Sequence, residues 1–213
     1  MKIVIQCAGN KNPTRTGFRH SDGRIVKFVA YPQLALDHEF FYARPDDDDG
    51  HGTSWRNRLA QYNSEQLSQN PLGLNSAYKL YKNRIYEGLF NKFGEKVYIL
   101  SAGWGLIAST FLTPDYDITF SGSAHSCNRR RAGDRYLDFC QIPDDGEEMV
   151  FLGGLSYLNL FRNLVMTYKG EKTVYYRSSE KPELGLGFNL KKFDTPRKTN
   201  WHYECAAQLI DCA

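Results

Sequence analysis

The chain has 213 residues, of which 41 % are hydrophobic, 14 % aromatic and 24 % charged, and a formal net charge of +3 at pH 7. That is long enough for one sizeable α/β domain, and its composition excludes the disordered, collagen-like and membrane-embedded classes. So small a net charge neither demands nor excludes a nucleic-acid partner, because the distribution of charge matters more than its sum.

Taken in chain order, Lys2 to Gln6 reads as a buried first strand. It ends in Cys7-Ala8-Gly9-Asn10-Lys11-Asn12-Pro13, a loop of small residues with an amide and a cation. Arg24 to Tyr31 alternates loosely and predicts a second strand, in a hairpin with a neighbour. Pro45 to Thr53 contains the acidic run Asp46 to Asp49 and is expected to be a mobile loop. Ser54 can cap a helix in which Trp55, Leu59 and Tyr62 share one face. A longer helix is expected over 75–90 through Ala77, Leu80, Tyr81, Ile85, Leu89 and Phe90, closed by Gly94.

Val97 to Leu100 is a buried strand that stops at Ser101-Ala102-Gly103-Trp104-Gly105. Asn128 to Phe139 predicts an amphipathic helix with a basic first turn. Met149 to Leu152 is a strand ending in Gly153-Gly154, Tyr157 to Met166 a helix, and Thr173 to Tyr176 a strand. Asn200 can cap a terminal helix reaching Cys212, with Tyr203, Ala206, Ala207 and Ile210 as its apolar face. The alternation predicts a single α/β domain with a mostly parallel central sheet flanked by helices.

Five cysteines, Cys7, Cys127, Cys140, Cys205 and Cys212, are odd in number and form no CxxC pair. This argues against a disulfide framework or a structural zinc site and for reduced thiols. The start MKIVIQC lacks a leader pattern, and no apolar run approaches a membrane span. A soluble, cytoplasmic protein is expected, with no metal or cofactor, no membrane contact and no protein partner implied.

In an open α/β sheet, ligands bind outside the carboxyl ends of the strands. The loops 7–13, 101–105 and 153–157 would gather there, each setting small residues beside polar ones. Glycine serves turns and close packing equally well, so ordinary strand-end turns remain an alternative. No P-loop, dinucleotide fingerprint, HExxH or GxSxG motif occurs. Asp115 and Asp117 flank Tyr116 and in extended chain would face the same side, as a carboxylate pair for acid, base or nucleophile work or as a Pro-Asp turn. Asn10 can bind a base edge. Lys11 can bind phosphate, or attack a sugar carbon if burial lowers its pKa. Cys7 reads best as a small buried residue. His202, beside Trp201 in a first helical turn, can act as an acid or a phosphate donor. Arg129-Arg130-Arg131 and Lys191-Lys192 are basic clusters able to hold a phosphate backbone.

Five segments together resemble a known family. They are Cys7-x-x-x-Lys11; Ala77-x-x-Leu80-Tyr81; Leu100-Ser101-Ala102-x-x-Gly105-Leu106; Pro114-x-Tyr116-Asp117-x-Thr119; and Gly153-Gly154-x-x-Tyr157. They are similar to the YaaA-like superfamily and to its α-glutamyl- and putrescinyl-thymine pyrophosphorylase-like DNA glycosylase branch, and Asn200-Trp201-His202 resembles a late motif of that branch. Trp104 is bulkier than the residue expected at its position. The resemblance implies chemistry on a nucleobase or its N-glycosidic bond, in phage DNA carrying modified bases. The expected activity is a DNA glycosylase that excises a bulky modified base in anti-phage defence. Asp115, Asp117 and Asn10 would be catalytic. Cys7, Lys11, Ser101, Gly103, Trp104, Tyr116, Tyr157 and His202 would bind the substrate, with Trp104 stacking on the base. Arg129, Arg130, Arg131, Lys191 and Lys192 would hold the DNA backbone. A base-hypermodification enzyme and a non-catalytic DNA-binding protein of oxidative stress are the alternative expectations.

Overall fold

A computed structural model describes residues 1–65, 69–177 and 180–212. Its strands are β1 (Lys2–Gln6), β2 (Val26–Val29), β3 (Phe41–Ala43), β4 (Asn75–Ser76), β5 (Val97–Ser101), β6 (Gly105–Ala108), β7 (Leu112–Thr113), β8 (Tyr116–Asp117), β9 (Phe139–Cys140), β10 (Met149–Leu152), β11 (Lys172–Tyr176) and β12 (Phe188–Lys192). Its helices are α1 (Trp55–Ser64), α2 (Ala77–Leu80), α3 (Ile85–Phe93), α4 (Leu155–Val165) and α5 (Trp201–Cys212).

The fold is α/β around a seven-stranded sheet in the order β12-β11-β10-β1-β5-β6-β9. The five strands from β12 to β5 run parallel, and β6 turns back antiparallel to β5. The central strands β1, β5 and β10 are covered on both faces, which is why they read as unbroken apolar runs rather than as alternating ones. Helices α3 and α5 pack together over β5 and β10. Their approach is close enough that a Cβ on Gly88 would meet Ile210 at 3.2 Å. Beside the main sheet lies a three-stranded sheet, β3-β2-β8, whose pairings are all parallel.

Several local expectations change or narrow. The second predicted strand is β2, which lies between β3 and β8; the hairpin expected for it is confined to its start, where Arg19 and Ile25 form an isolated antiparallel bridge and Val26 N donates to Phe18 O. The long helix over 75–90 breaks into α2 and α3. Tyr81 is extended there (φ −93°, ψ 134°) and pairs with Lys11 in an isolated antiparallel bridge, while Asn12 N donates to Leu80 O and Lys82 N to Asn10 O. Tertiary hydrogen bonds to the first loop replace the helical ones.

Residues 128–138 form an irregular loop with a turn and a single bridge from Arg129 to Thr119, not a helix. Arg130 is held by Asp138, and the Arg131 amide donates to Asp134 Oδ2. The aspartate run is anchored rather than loose: Asp46 pairs with Arg56 and the buried Asp49 with Arg58, both on α1. The Ser54 cap is as expected, its hydroxyl accepting from Asn57 N at 3.2 Å. Asn200 instead stands before α5 in the left-handed region (φ +57°), and its main-chain carbonyl accepts from Tyr203 N.

Candidate functional site at the carboxyl ends of the parallel strands

The loops after β1, β5 and β10 converge on one buried hydrogen-bonded cluster. Ser101 Oγ donates to Tyr116 Oη at 2.8 Å, and Tyr116 and Tyr81 share a hydrogen bond of 2.9 Å. Cys7 Sγ lies 3.1 Å from Tyr157 Oη and accepts from Ala102 N. Tyr86 Oη donates to Gln6 O and lies 3.4 Å from Tyr203 Oη, which ties α3 and α5 to the end of β1. Burial pushes the pKa of Tyr81, Tyr86, Tyr116 and Tyr157 well above that of a free phenol, so they stay neutral donors and acceptors.

The turn 101–105 is closed from below and offers no open pocket wall. Ser101 Oγ accepts from Gly103 N and Trp104 N. The buried Arg56 donates to the carbonyls of Gly103 and Trp104, and the buried Arg130 to that of Ala102. Gly103 is needed for packing, since a Cβ there would press on Ile118 and Tyr116 at 3.2 Å. Trp104 is fully buried, edge-on to Phe28 with centroids 5.0 Å apart, and therefore has no free face for a base to stack on. The half-buried aromatic near this edge is Phe120, edge-on to Tyr157 at 5.1 Å.

Above the cluster lies Lys11. It is half-buried, with its Nζ 4.2 Å from the centroid of the Tyr116 ring. Burial lowers its pKa below the usual lysine range, against attraction from Cys7, Asp117 and Asp115. The carboxylates that flank Tyr116 thus both act on the Lys11 ammonium, and each also has a local partner. Asp115 Oδ1 accepts from Thr14 N while Thr14 Oγ1 accepts from Asp115 N; Asp117 pairs with Lys27 at 3.0 Å. Asn10 is exposed on the same loop.

The remaining candidates divide. His202 is buried in the first turn of α5, 4.2 Å from the Tyr203 ring, and its Nε2 has no hydrogen-bond partner among the described residues. Desolvation lowers its pKa to about 4, so it is a neutral imidazole. Arg130 corrects the idea of a triple-arginine backbone clamp: it is buried in a two-pronged ion pair with Asp138, at 2.9 and 2.6 Å, and only Arg129 and Arg131 are exposed. Lys191 and Lys192 are exposed on the edge strand β12, three strands from β1 and thus roughly 15 Å away.

Two clefts touch the cluster. One, of about 570 Å³, reaches it through Phe120 and runs between 130–138 and the polar side of α4, with Asn159 and Asn163. The other, of about 490 Å³, reaches it through Tyr81 and carries Lys79, Lys82 and Arg84. Sequence reasoning missed this second basic group because a continuous helix turns 84 to the side away from 79 and 82, whereas the break at Tyr81 brings all three to one cleft. Arg56 was missed too, although the aspartate run just ahead of α1 is a signal for partner arginines.

All five cysteines are free thiols. No cluster of three or more His, Cys, Asp or Glu suited to a metal ion occurs among the described residues, and no described helix is long and apolar enough to cross a membrane. No family model, curated protein or solved structure matches the chain. What the site can do follows from its own groups: a partly desolvated amine, two nearby carboxylates, an exposed amide and a rigid bed of neutral hydroxyls.

Proposed function

We propose that the chain is a DNA N-glycosylase that releases a modified nucleobase, with Lys11 as the group that meets the sugar. The observation that carries the proposal is the half-buried Lys11 amine, poised over Tyr116 and between the fields of Asp115 and Asp117, at the carboxyl edge of a parallel sheet. An amine with a lowered pKa is a nucleophile at moderate pH.

In its neutral form Nζ attacks C1′ of the sugar as the bond to the base nitrogen breaks. The base leaves with that electron pair and takes the proton that Nζ sheds. The C1′–O4′ bond then opens as the remaining proton on Nζ passes to O4′, giving a lysine imine and a free 4′-hydroxyl. Water adds to the imine, releasing an abasic aldehyde and restoring the amine. Asp115 and Asp117 face the positive charge that grows on the sugar. Asn10, exposed on the same loop, would take the base edge, and Phe120 the stacking role that the buried Trp104 has no face to fill. A base must leave the helix stack to reach such a site. From the family resemblance comes the substrate class, phage DNA with bulky modified bases, and with it a role in anti-phage defence.

Incubation with DNAs carrying glucosylated or otherwise modified bases tests this directly. Free base by mass spectrometry, alkali-labile abasic sites, and a protein–DNA adduct trapped by borohydride are expected, all lost in Lys11→Met. Absence of base release across several modified DNAs overturns the proposal.

A further inference from the structure

The geometry points to a second binding site: the cleft between the first loop and the α2–α3 junction, which we propose binds the phosphates of a single DNA strand and leads it to Lys11. It rests on the reading of the chain as a DNA enzyme. The cleft is lined by Asn12, Tyr78, Lys79, Lys82, Asn83 and Arg84. Lys79, Lys82 and Arg84 are exposed, and none of them takes part in an ion pair among the described residues. Against three cations the wall sets one acid, Glu87. The basic clusters named from sequence compare poorly, since Arg130 is spent on Asp138 and Lys192 lies beside Asp194 at 3.5 Å.

The floor of this cleft is continuous with the Lys11 site. Lys11 bridges to Tyr81, Asn12 Nδ2 donates to Lys79 O at 2.8 Å, and Lys82 N donates to Asn10 O at 3.1 Å. The backbone that carries the cations is thus pinned to the loop that carries the amine. Tyr78, half-buried and stacked on Phe90 with centroids 3.9 Å apart, supplies a rigid aromatic beside them. Cations that follow a backbone, next to an aromatic face, are what a single strand requires. A strand bound there passes from the cleft over Tyr81 to Lys11 and the Phe120 side.

The test is binding of a fluorescent, unmodified single-stranded oligonucleotide to the full chain, by anisotropy over a range of salt. The variant Lys79→Ala/Lys82→Ala/Arg84→Ala should bind at least tenfold more weakly. Its plot of log affinity against log salt should be shallower by about 2, since each lost phosphate contact removes about 0.7 on single strands. Lys191→Ala/Lys192→Ala should bind like the parent. Circular dichroism and melting confirm that the triple variant is folded. Unchanged affinity and slope in the folded triple variant, or no binding by the parent chain, overturns the proposal. The two proposals fail separately: strand binding lost in the triple variant without base release by the parent leaves the cleft standing and removes the glycosylase, and base release with unchanged KM in the triple variant does the reverse.

Discussion

The ammonium of Lys11 rests 4.2 Å above the ring of Tyr116, and the hydroxyl of that ring is held by Ser101 and Tyr81. The contact stacks an adjustable charge on an immobile bed. Tyr116 cannot swing, because its hydroxyl is engaged on both sides and its ring is packed under Gly103. The ring attracts the charged ammonium and releases its hold as the amine loses its proton, so the bed positions the resting cation and leaves the neutral amine free to reach outward.

That arrangement predicts the pH profile of the proposed base release. Burial lowers the Lys11 pKa from 10.5, so more of the amine is neutral at a given pH than for a free lysine. The rate should rise with pH and level off below the ordinary lysine range. Lys11→Arg should be inactive, because a guanidinium stays charged throughout. A rate still climbing above pH 10.5 in the parent chain would refute this account of Lys11.

Arg130 should matter for folding rather than for DNA affinity. Arg130→Met leaves the nearly buried Asp138 carboxylate without its partner and the Ala102 carbonyl without its donor. Breaking such a pair costs about 3–5 kcal/mol. Urea unfolding should show a loss of that size, partly recovered in Arg130→Met/Asp138→Leu. A loss under 1 kcal/mol would mean that the pair is not structurally important.

Gly105 stands at φ +88°, and a Cβ added to it would lie 2.5 Å from the main-chain oxygen of Phe139. Neither the strained dihedral nor the backbone contact can relax cheaply, so Gly105→Ala should destabilise by about 2 kcal/mol or more. Gly133→Ala, where a Cβ meets nothing within 4 Å, is the control and should stay within about 0.5 kcal/mol of the parent. Equal melting temperatures for the two variants would contradict the packing described for β6 and β9.

His202 predicts acid sensitivity. Its pKa falls from 6.5 to about 4 on folding, so below pH 6.5 the unfolded chain takes up a proton that the folded chain refuses. Stability is fully present above about pH 6.5 and is lost as the pH falls toward 4, by roughly 3 kcal/mol for this group. His202→Leu should flatten that limb of a stability-against-pH curve measured in urea, while leaving stability at pH 7.5 nearly unchanged. An identical acid limb in the variant would assign the loss to other groups.

Much of the fold is legible in the chain because hydrophobic periodicity is local. β1, β5 and β10 are apolar runs with glycine or small residues at their ends, and α1, α4 and α5 keep a helical apolar stripe, so element type follows from neighbours within a few residues. The candidate site is legible as far as the three strand-end loops, because topology alone sends the carboxyl ends of parallel strands to one edge. What neighbours in sequence do not reveal is which polar groups are spent on one another. Asp46 and Arg56, Arg130 and Asp138, and Asp117 and Lys27 are each ten or fewer residues apart or distant by ninety, and nothing in their spacing says whether they meet.

By itself, then, the amino-acid order determined the parallel α/β core and the edge at which its strand-end loops gather, through burial patterns that any register must satisfy. Only the tertiary structure decided the occupants of that edge. It turned Ser101 to Gly105 into a clamped scaffold turn and took Trp104 into the core. It broke a helix at Tyr81 so that Lys11 could pair there, and it gathered Lys79, Lys82 and Arg84 beside it. The reason is energetic. A buried carbonyl or guanidinium must find a partner wherever the chain can supply one, and that demand outweighs local helix preference and redistributes charges that a linear reading leaves free.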